Sequence, residues 1–166
     1  LIIYLHTGTF APIIRNGNAT GSRTYDYATQ VFCNQYAARG YVVANTDYRA
    51  GWNPALPTEP ERAASLMKAA YRGIQDVKAA IRYFRMDYEN GNTYGIDTSR
   101  IIIVGQGTGG WIATCLNSVD KLSEIQLPKF LDPVTALPLI DTAIMGDWDG
   151  YGGNPAYNTP SNPGYS

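Results

Sequence analysis

Arg100-Ile-Ile-Ile-Val-Gly105-Gln106-Gly107-Thr108-Gly109-Gly110-Trp111 is the stretch on which the reading of this chain turns. Its first half is strand-like, because three β-branched isoleucines and a valine suit a pleated surface. No polar residue alternates among them, which predicts a strand covered on both faces, as in a parallel sheet. Its second half is a glycine-dense turn that opens a helical pattern. From Thr108 to Val119, the apolar residues Ile112, Cys115, Leu116 and Val119 recur at helical spacing.

Working outward, the same alternation repeats. Before the turn lies the longest pattern, about Glu59 to Asp87. There Ala63, Leu66, Met67, Ala70, Ile74, Val77, Ile81 and Phe84 form one apolar face. Pro60 and Glu61 suit its first turn, and Gly91 lies past its end. Further back come a strand at Tyr41-Val-Val-Ala44, a helix from Asp26 to Arg39 stopped by Gly40, and a strand at Leu1 to Leu5. Beyond the turn, Leu139-Ile140 through Ile144-Met145 is a weaker fourth run. Strands separated by helices of this length predict an α/β fold, a mostly parallel sheet with helices on both faces. Residues 1–149 are expected to be the central part of one such domain. The 17 residues from Gly150 carry 4 Gly, 3 Pro and 3 Asn, which predicts a loop or insertion.

Composition limits the partners. The 166 residues carry 13 Lys+Arg and 14 Asp+Glu, and a net charge of −1 without basic runs argues against nucleic-acid binding. Hydrophobic residues at 45% suffice for a core. Charged residues at 16% fall below the roughly 25% of an average soluble domain, so Tyr, Asn, Thr and Gly supply the polar surface. That balance suggests a secreted or cell-surface protein, the alternative being a Tyr-rich cytoplasmic domain. No apolar run approaches the ~20 residues that span a bilayer. Cys33 and Cys115 both fall in apolar helical patterns and read as buried free thiols, too few for a zinc site or disulfide framework.

Two chemistries use a glycine turn between a strand and a helix. As G-x-G-x-x-G, Gly105, Gly107 and Gly110 match the dinucleotide fingerprint, in which the backbone approaches a pyrophosphate. That frame needs an acidic residue ending a second strand about 20 residues on. Asp120 and Glu124 instead fall in a helix or turn pattern. As G-x-S-x-G, Gly105 and Gly109 flank a nucleophile elbow, with Gln106 before and Gly107 at the position where serine is expected.

The surroundings favour the second frame. Tyr94-Gly-Ile-Asp-Thr-Ser-Arg-Ile-Ile-Ile-Val-Gly105 resembles the run into the elbow of carboxylesterase-like α/β-hydrolases. Ile74-Gln-Asp-Val-Lys-Ala-Ala-Ile-Arg-Tyr-Phe-Arg85 looks like the helix before it. Gly40-Tyr-Val-Val-Ala-Asn-Thr-Asp-Tyr-Arg49 resembles the strand ending in a Tyr-Arg pair. Tyr4-Leu-His-Thr-Gly-Thr-Phe10 is similar to the His-Gly-Gly type motif after the third strand. The resemblance, over roughly residues 1–119, implies an α/β-hydrolase sheet from about its third to its sixth strand. It also implies ester or amide hydrolysis by Ser, an acid and His in that chain order.

The departures matter as much. Gly107 offers no oxygen, thiol or carboxylate, so covalent acyl transfer cannot occur there. Thr108 has a hydroxyl, but it lies one residue further along the turn and points elsewhere. The sole histidine, His6, matches the oxyanion loop, where it is expected to hold the loop by a hydrogen bond. The resemblance places oxyanion donors at the N–H of Thr108 and of Gly8 or Thr9. The expected function is therefore a catalytically inactive homologue acting as a binding or structural component, with a small carbonyl or carboxylate as ligand. Alternatives are an active carboxylesterase or lipase-like hydrolase seen as a fragment or inactivated variant, and a dinucleotide-binding domain. A chain that starts in a strand is also expected to join other chains or further strands in a larger assembly. Asp47, Arg49, Asp76, Asp97 and Arg100 read as structural ion-pair groups. Asp147 and Asp149, a lone D-x-D, lack the further ligands a calcium site needs. No metal and no cofactor is expected.

Overall fold

The computed structural model describes residues 1–17, 20–119, 121–132, 135–145 and 148. Three strands are present among them: β1 (Ile2–Leu5), β2 (Val43–Thr46) and β3 (Ile102–Gly105). The helices are α1 (Tyr27–Ala37), α2 (Glu59–Glu89), α3 (Thr108–Ser118) and the single turn α4 (Thr142–Met145). Short 3-10 turns occupy Ile13–Asn16, Leu122–Gln126 and Pro128–Phe130.

Local sequence explains where the helices start. The Asp26 carboxylate accepts the N–H of Thr29 at 3.3 Å and caps α1. Thr58 and Glu61 form a reciprocal capping box ahead of α2, with Pro60 in its first turn. All three long helices fall within two residues of the boundaries their apolar spacing predicts.

The strands are parallel, in the order β2-β1-β3. The first strand in the chain is thus the central one, and all four of its residues are buried. Its neighbours take the edges, where Ile102 is half exposed. Layering follows the alternation of side chains along β1. Tyr4 points to one face and meets Phe32 of α1, ring centroids 4.6 Å apart. Ile3 and Leu5 point to the other and share a core with Val77 of α2 and Ile112 of α3. This is the expected α/β arrangement, with helices on both faces.

Two runs differ from expectation. The second strand sits two residues further on than Tyr41–Ala44, because pairing of Asn45 with Tyr4 and Thr46 with Leu5 fixes its register. Neighbouring backbone overrides the weak strand preference of Asn. The fourth run is not a strand. Its Asp141 carboxylate accepts the N–H of Ala143 at 2.9 Å, and its carbonyl accepts those of Ile144 and Met145, which winds α4. Ile140 is buried while Ile144 is exposed, so the run is split between core and solvent. Residues 149–166, including the Gly/Pro/Asn-rich stretch, lie outside the described residues.

The register also sets the site. Leu5 pairs with both Thr46 and Gly105, so the three strands end level. Their following loops crowd along one edge of the sheet, where open α/β sheets build their sites. The helix layer beneath is tight. A Cβ at Gly73 of α2 would stand 2.8 Å from Cδ1 of Ile112, whose exposure is 1%. Ile112→Ala should therefore cost about 2–5 kcal/mol, read as a lowered midpoint in urea unfolding.

Candidate functional site

Three glycines shape the turn after β3. A Cβ at Gly105 would overlap the carbonyl of Gly109, and a Cβ at Gly109 would overlap the carbonyl of Leu5. Both positions must stay bare for α3 to begin this close to the ends of β3 and β1. Gly110 is less crowded, its nearest neighbour being the Gly105 oxygen at 3.2 Å. The tight pair is therefore spaced as Gly-x-x-x-Gly, matching the elbow frame. Between them Gly107 has φ 56° and ψ −120°, a region that side-chain-bearing residues enter only under strain. A Cβ there would overlap the Thr7 hydroxyl oxygen.

The loop after β1 meets this turn. Thr9 and Phe10 both have left-handed backbones, φ 55° and 56°. Surrounding hydrogen bonds hold them. The Gly8 carbonyl accepts from Ala11 N at 3.0 Å, Asn16 Nδ2 at 3.0 Å and Thr9 Oγ1 at 2.7 Å. The Phe10 carbonyl accepts from Gly51 N at 2.8 Å and Trp52 N at 2.9 Å, tying the loop to the one after β2.

His6 is buried beneath. Its Nδ1 donates to the Thr7 carbonyl at 2.6 Å, the loop-holding bond expected of it. Nε2 lies 3.4 Å from Asp47 Oδ1, without hydrogen-bond geometry. The ring stacks on Tyr48, centroids 4.3 Å apart and 10° between planes. Tyr48 in turn joins both halves of the site. Its hydroxyl donates to the His6 carbonyl at 2.9 Å and lies 2.7 Å from Thr108 Oγ1. A phenol has one proton, so Thr108 must supply the proton of the second bond. The Thr108 hydroxyl is thus committed to Tyr48.

A cavity of about 320 Å³ lies where these loops meet. Thr7, Thr9, Phe10, Trp52, Leu66, Gly107, Thr108 and Trp111 line it. The structure therefore brings the expected Thr9, Gly107 and Thr108 together at one opening. Gly8 shapes the loop from behind and is not in the lining. Gln106 is exposed, and its N–H donates to the Leu5 carbonyl at 3.2 Å. Thr108 N–H, at the first position of α3, has no acceptor within its helix. The aromatic lining and Thr7 were not singled out from sequence. Thr7 sits inside the His6-Thr-Gly motif, so its neighbours were the only available signal.

The charged groups do structural work. Arg49 Nε reaches Asp76 at 2.9 Å, and Arg49 N donates to the same carboxylate at 2.7 Å, binding the end of β2 to α2. Asp47 accepts from Arg23 N at 2.7 Å. Asp97 accepts from Ser99 N and Oγ and lies 3.4 Å from Arg100 Nε. Cys33 is buried and Cys115 half-buried, both as free thiols. Glu124 sits in a 3-10 turn and accepts from Lys121 N at 3.0 Å, not at a strand end. Asp120, Asp147 and Asp149 lie outside the described residues. Among the described residues no group of three or more His, Cys, Asp or Glu is placed to hold a metal, and no helix is long and apolar enough to cross a membrane.

The model of the family described as BD-FAE covers residues 1–134. No curated protein and no solved structure matches the chain.

Tyr48 supplies a test of the site's packing. Burial pushes its phenol up to about 12 from 10.0, with Asp47 adding to the rise and the Thr108 bond opposing it. The unfolded chain gives up this proton first, so the stabilisation is complete below about pH 10 and is lost as pH rises towards about 12. Urea midpoints should fall across that interval, and Tyr48→Phe should flatten the decline.

Proposed function

Since the chain belongs to the BD-FAE family, an esterase-like group associated with the α/β-hydrolase superfamily, we propose that it is a catalytically silent member that binds a small carbonyl or carboxylate ligand. One observation carries the reading. Gly107 stands at the bend between β3 and α3, in a strained backbone region, and lines the cavity without offering a nucleophilic atom. The polarising donors around it remain in outline, in the N–H groups of Thr9 and Thr108. Donors without a nucleophile stabilise a bound carbonyl oxygen and cannot transfer an acyl group.

A second reading keeps the enzyme active, with this sequence a fragment or an inactivated variant. It is favoured by the close approach of Gly105, Gly109 and Leu5, since a serine-bearing turn needs the same bare positions. A gene that encodes Ser at position 107, followed by Asp and His further on, would establish it.

The chain should give no covalent adduct with a fluorophosphonate probe. Its hydrolysis of 4-nitrophenyl acetate should match a heat-denatured control. Stoichiometric labelling by the probe overturns the silent reading. Gly107→Ser is a strained replacement, because its Cβ must displace the Thr7 side chain. The variant should lose about 1–3 kcal/mol of stability from backbone strain. It should remain far slower than a complete triad, since a serine hydroxyl without a base is a poor nucleophile. His6 is buried on the opposite loop with Nδ1 bonded to the Thr7 carbonyl.

A further inference from the structure

We propose that Thr7 takes the place of the missing nucleophile as a ligand-binding hydroxyl, and that it makes the cavity selective for a free carboxylate over its ester. The inference rests on the binding reading above and names its ligand class. A side chain at Gly107 would fall on the Thr7 hydroxyl oxygen, so Thr7 Oγ1 already occupies the space from which a nucleophile would act. Thr7 lines the cavity, and its hydroxyl makes no hydrogen bond among the described residues. The other two threonine hydroxyls in the lining are committed, Thr9 to the Gly8 carbonyl and Thr108 to Tyr48.

Several donors of the lining residues have no acceptor among the described residues. They are the N–H groups of Thr9 and Thr108 and the indole N–H of Trp52, which is buried without an acceptor among the described residues. No lining residue carries a carboxylate or an imidazole. Such a site calls for a ligand that brings acceptors, since a buried donor left unpaired is costly. A carboxylate supplies two oxygens. One faces the Thr9 and Thr108 amides, and the other accepts the Thr7 hydroxyl. An ester supplies one good acceptor, its carbonyl, and sets an alkoxy group against Thr7. Phe10, Leu66 and Trp111 then receive the apolar remainder, so the ligand is a small monocarboxylate with an apolar substituent.

The test is a ¹H–¹⁵N NMR titration of the whole chain with sodium butyrate and with methyl butyrate at constant ionic strength. Butyrate should shift the Thr9 and Thr108 amide signals saturably, and methyl butyrate should bind at least roughly tenfold more weakly. Thr7→Val keeps the side-chain shape and removes the hydroxyl. It should weaken butyrate roughly tenfold, the loss expected for a hydrogen bond to a charged group, and leave methyl butyrate unchanged. Thr7→Ser retains the hydroxyl and should stay close to the parent, which separates the hydroxyl from packing. Butyrate binding unchanged in Thr7→Val, or an ester bound as tightly as the acid, overturns this proposal and leaves the binding reading standing. Absence of any response to either probe removes both.

Discussion

The backbone of β1 and the backbone of α3 touch. Where the carbonyl of Leu5 faces Gly109 there is no room for a Cβ, and the same holds where Gly105 faces the Gly109 carbonyl. Each glycine costs about 0.5–1 kcal/mol in conformational entropy relative to alanine. The approach they permit sets the first turn of α3 directly against the end of the central strand. Ile112, one turn into that helix, then reaches the core formed by Ile3, Leu5 and Val77. A side chain at either glycine would lift the helix from the sheet and open the core beneath.

Everything at the site depends on that fixed origin. Because the strands end level, the loops after β1, β2 and β3 share one edge, and Tyr48 joins them. Its ring lies between His6 and Phe10, while its hydroxyl links the His6 carbonyl to Thr108. The strained backbones of Thr9 and Phe10 persist because three bonds to the Gly8 carbonyl and two to the Phe10 carbonyl over-determine them. These bonds fix the loop after β1, while the Thr7 side chain keeps its place only because position 107 carries no Cβ. Glycine relieves the strain of the bend, and Thr7 fills the space.

Much of this was legible in the residues. Apolar spacing located α1, α2 and α3 because each has one face against the sheet, and a 3.6-residue period leaves a long record. The runs of β-branched residues located β1 and β3. Asp141 was the warning that the fourth run would not be a strand, since its side chain competes for nearby N–H groups. The limits of β2 were not readable, because Asn45 and Thr46 belong to it only through their pairing with β1.

The site divides in the same way. The sequence by itself determined the turn, since Gly-x-Gly-x-Gly after Ile-Ile-Ile-Val admits few backbones. It also determined that position 107 lacks a nucleophile, for that is a matter of covalent structure. Which glycines are crowded was decided only by the tertiary structure, and it separated Gly109 from Gly110. So was the commitment of the Thr108 hydroxyl to Tyr48, 60 residues away in the chain. The position of Thr7 over Gly107 was settled there too. These are contacts between loops distant in sequence, and a chain's local pattern holds no information about which side chain another loop will bring within reach.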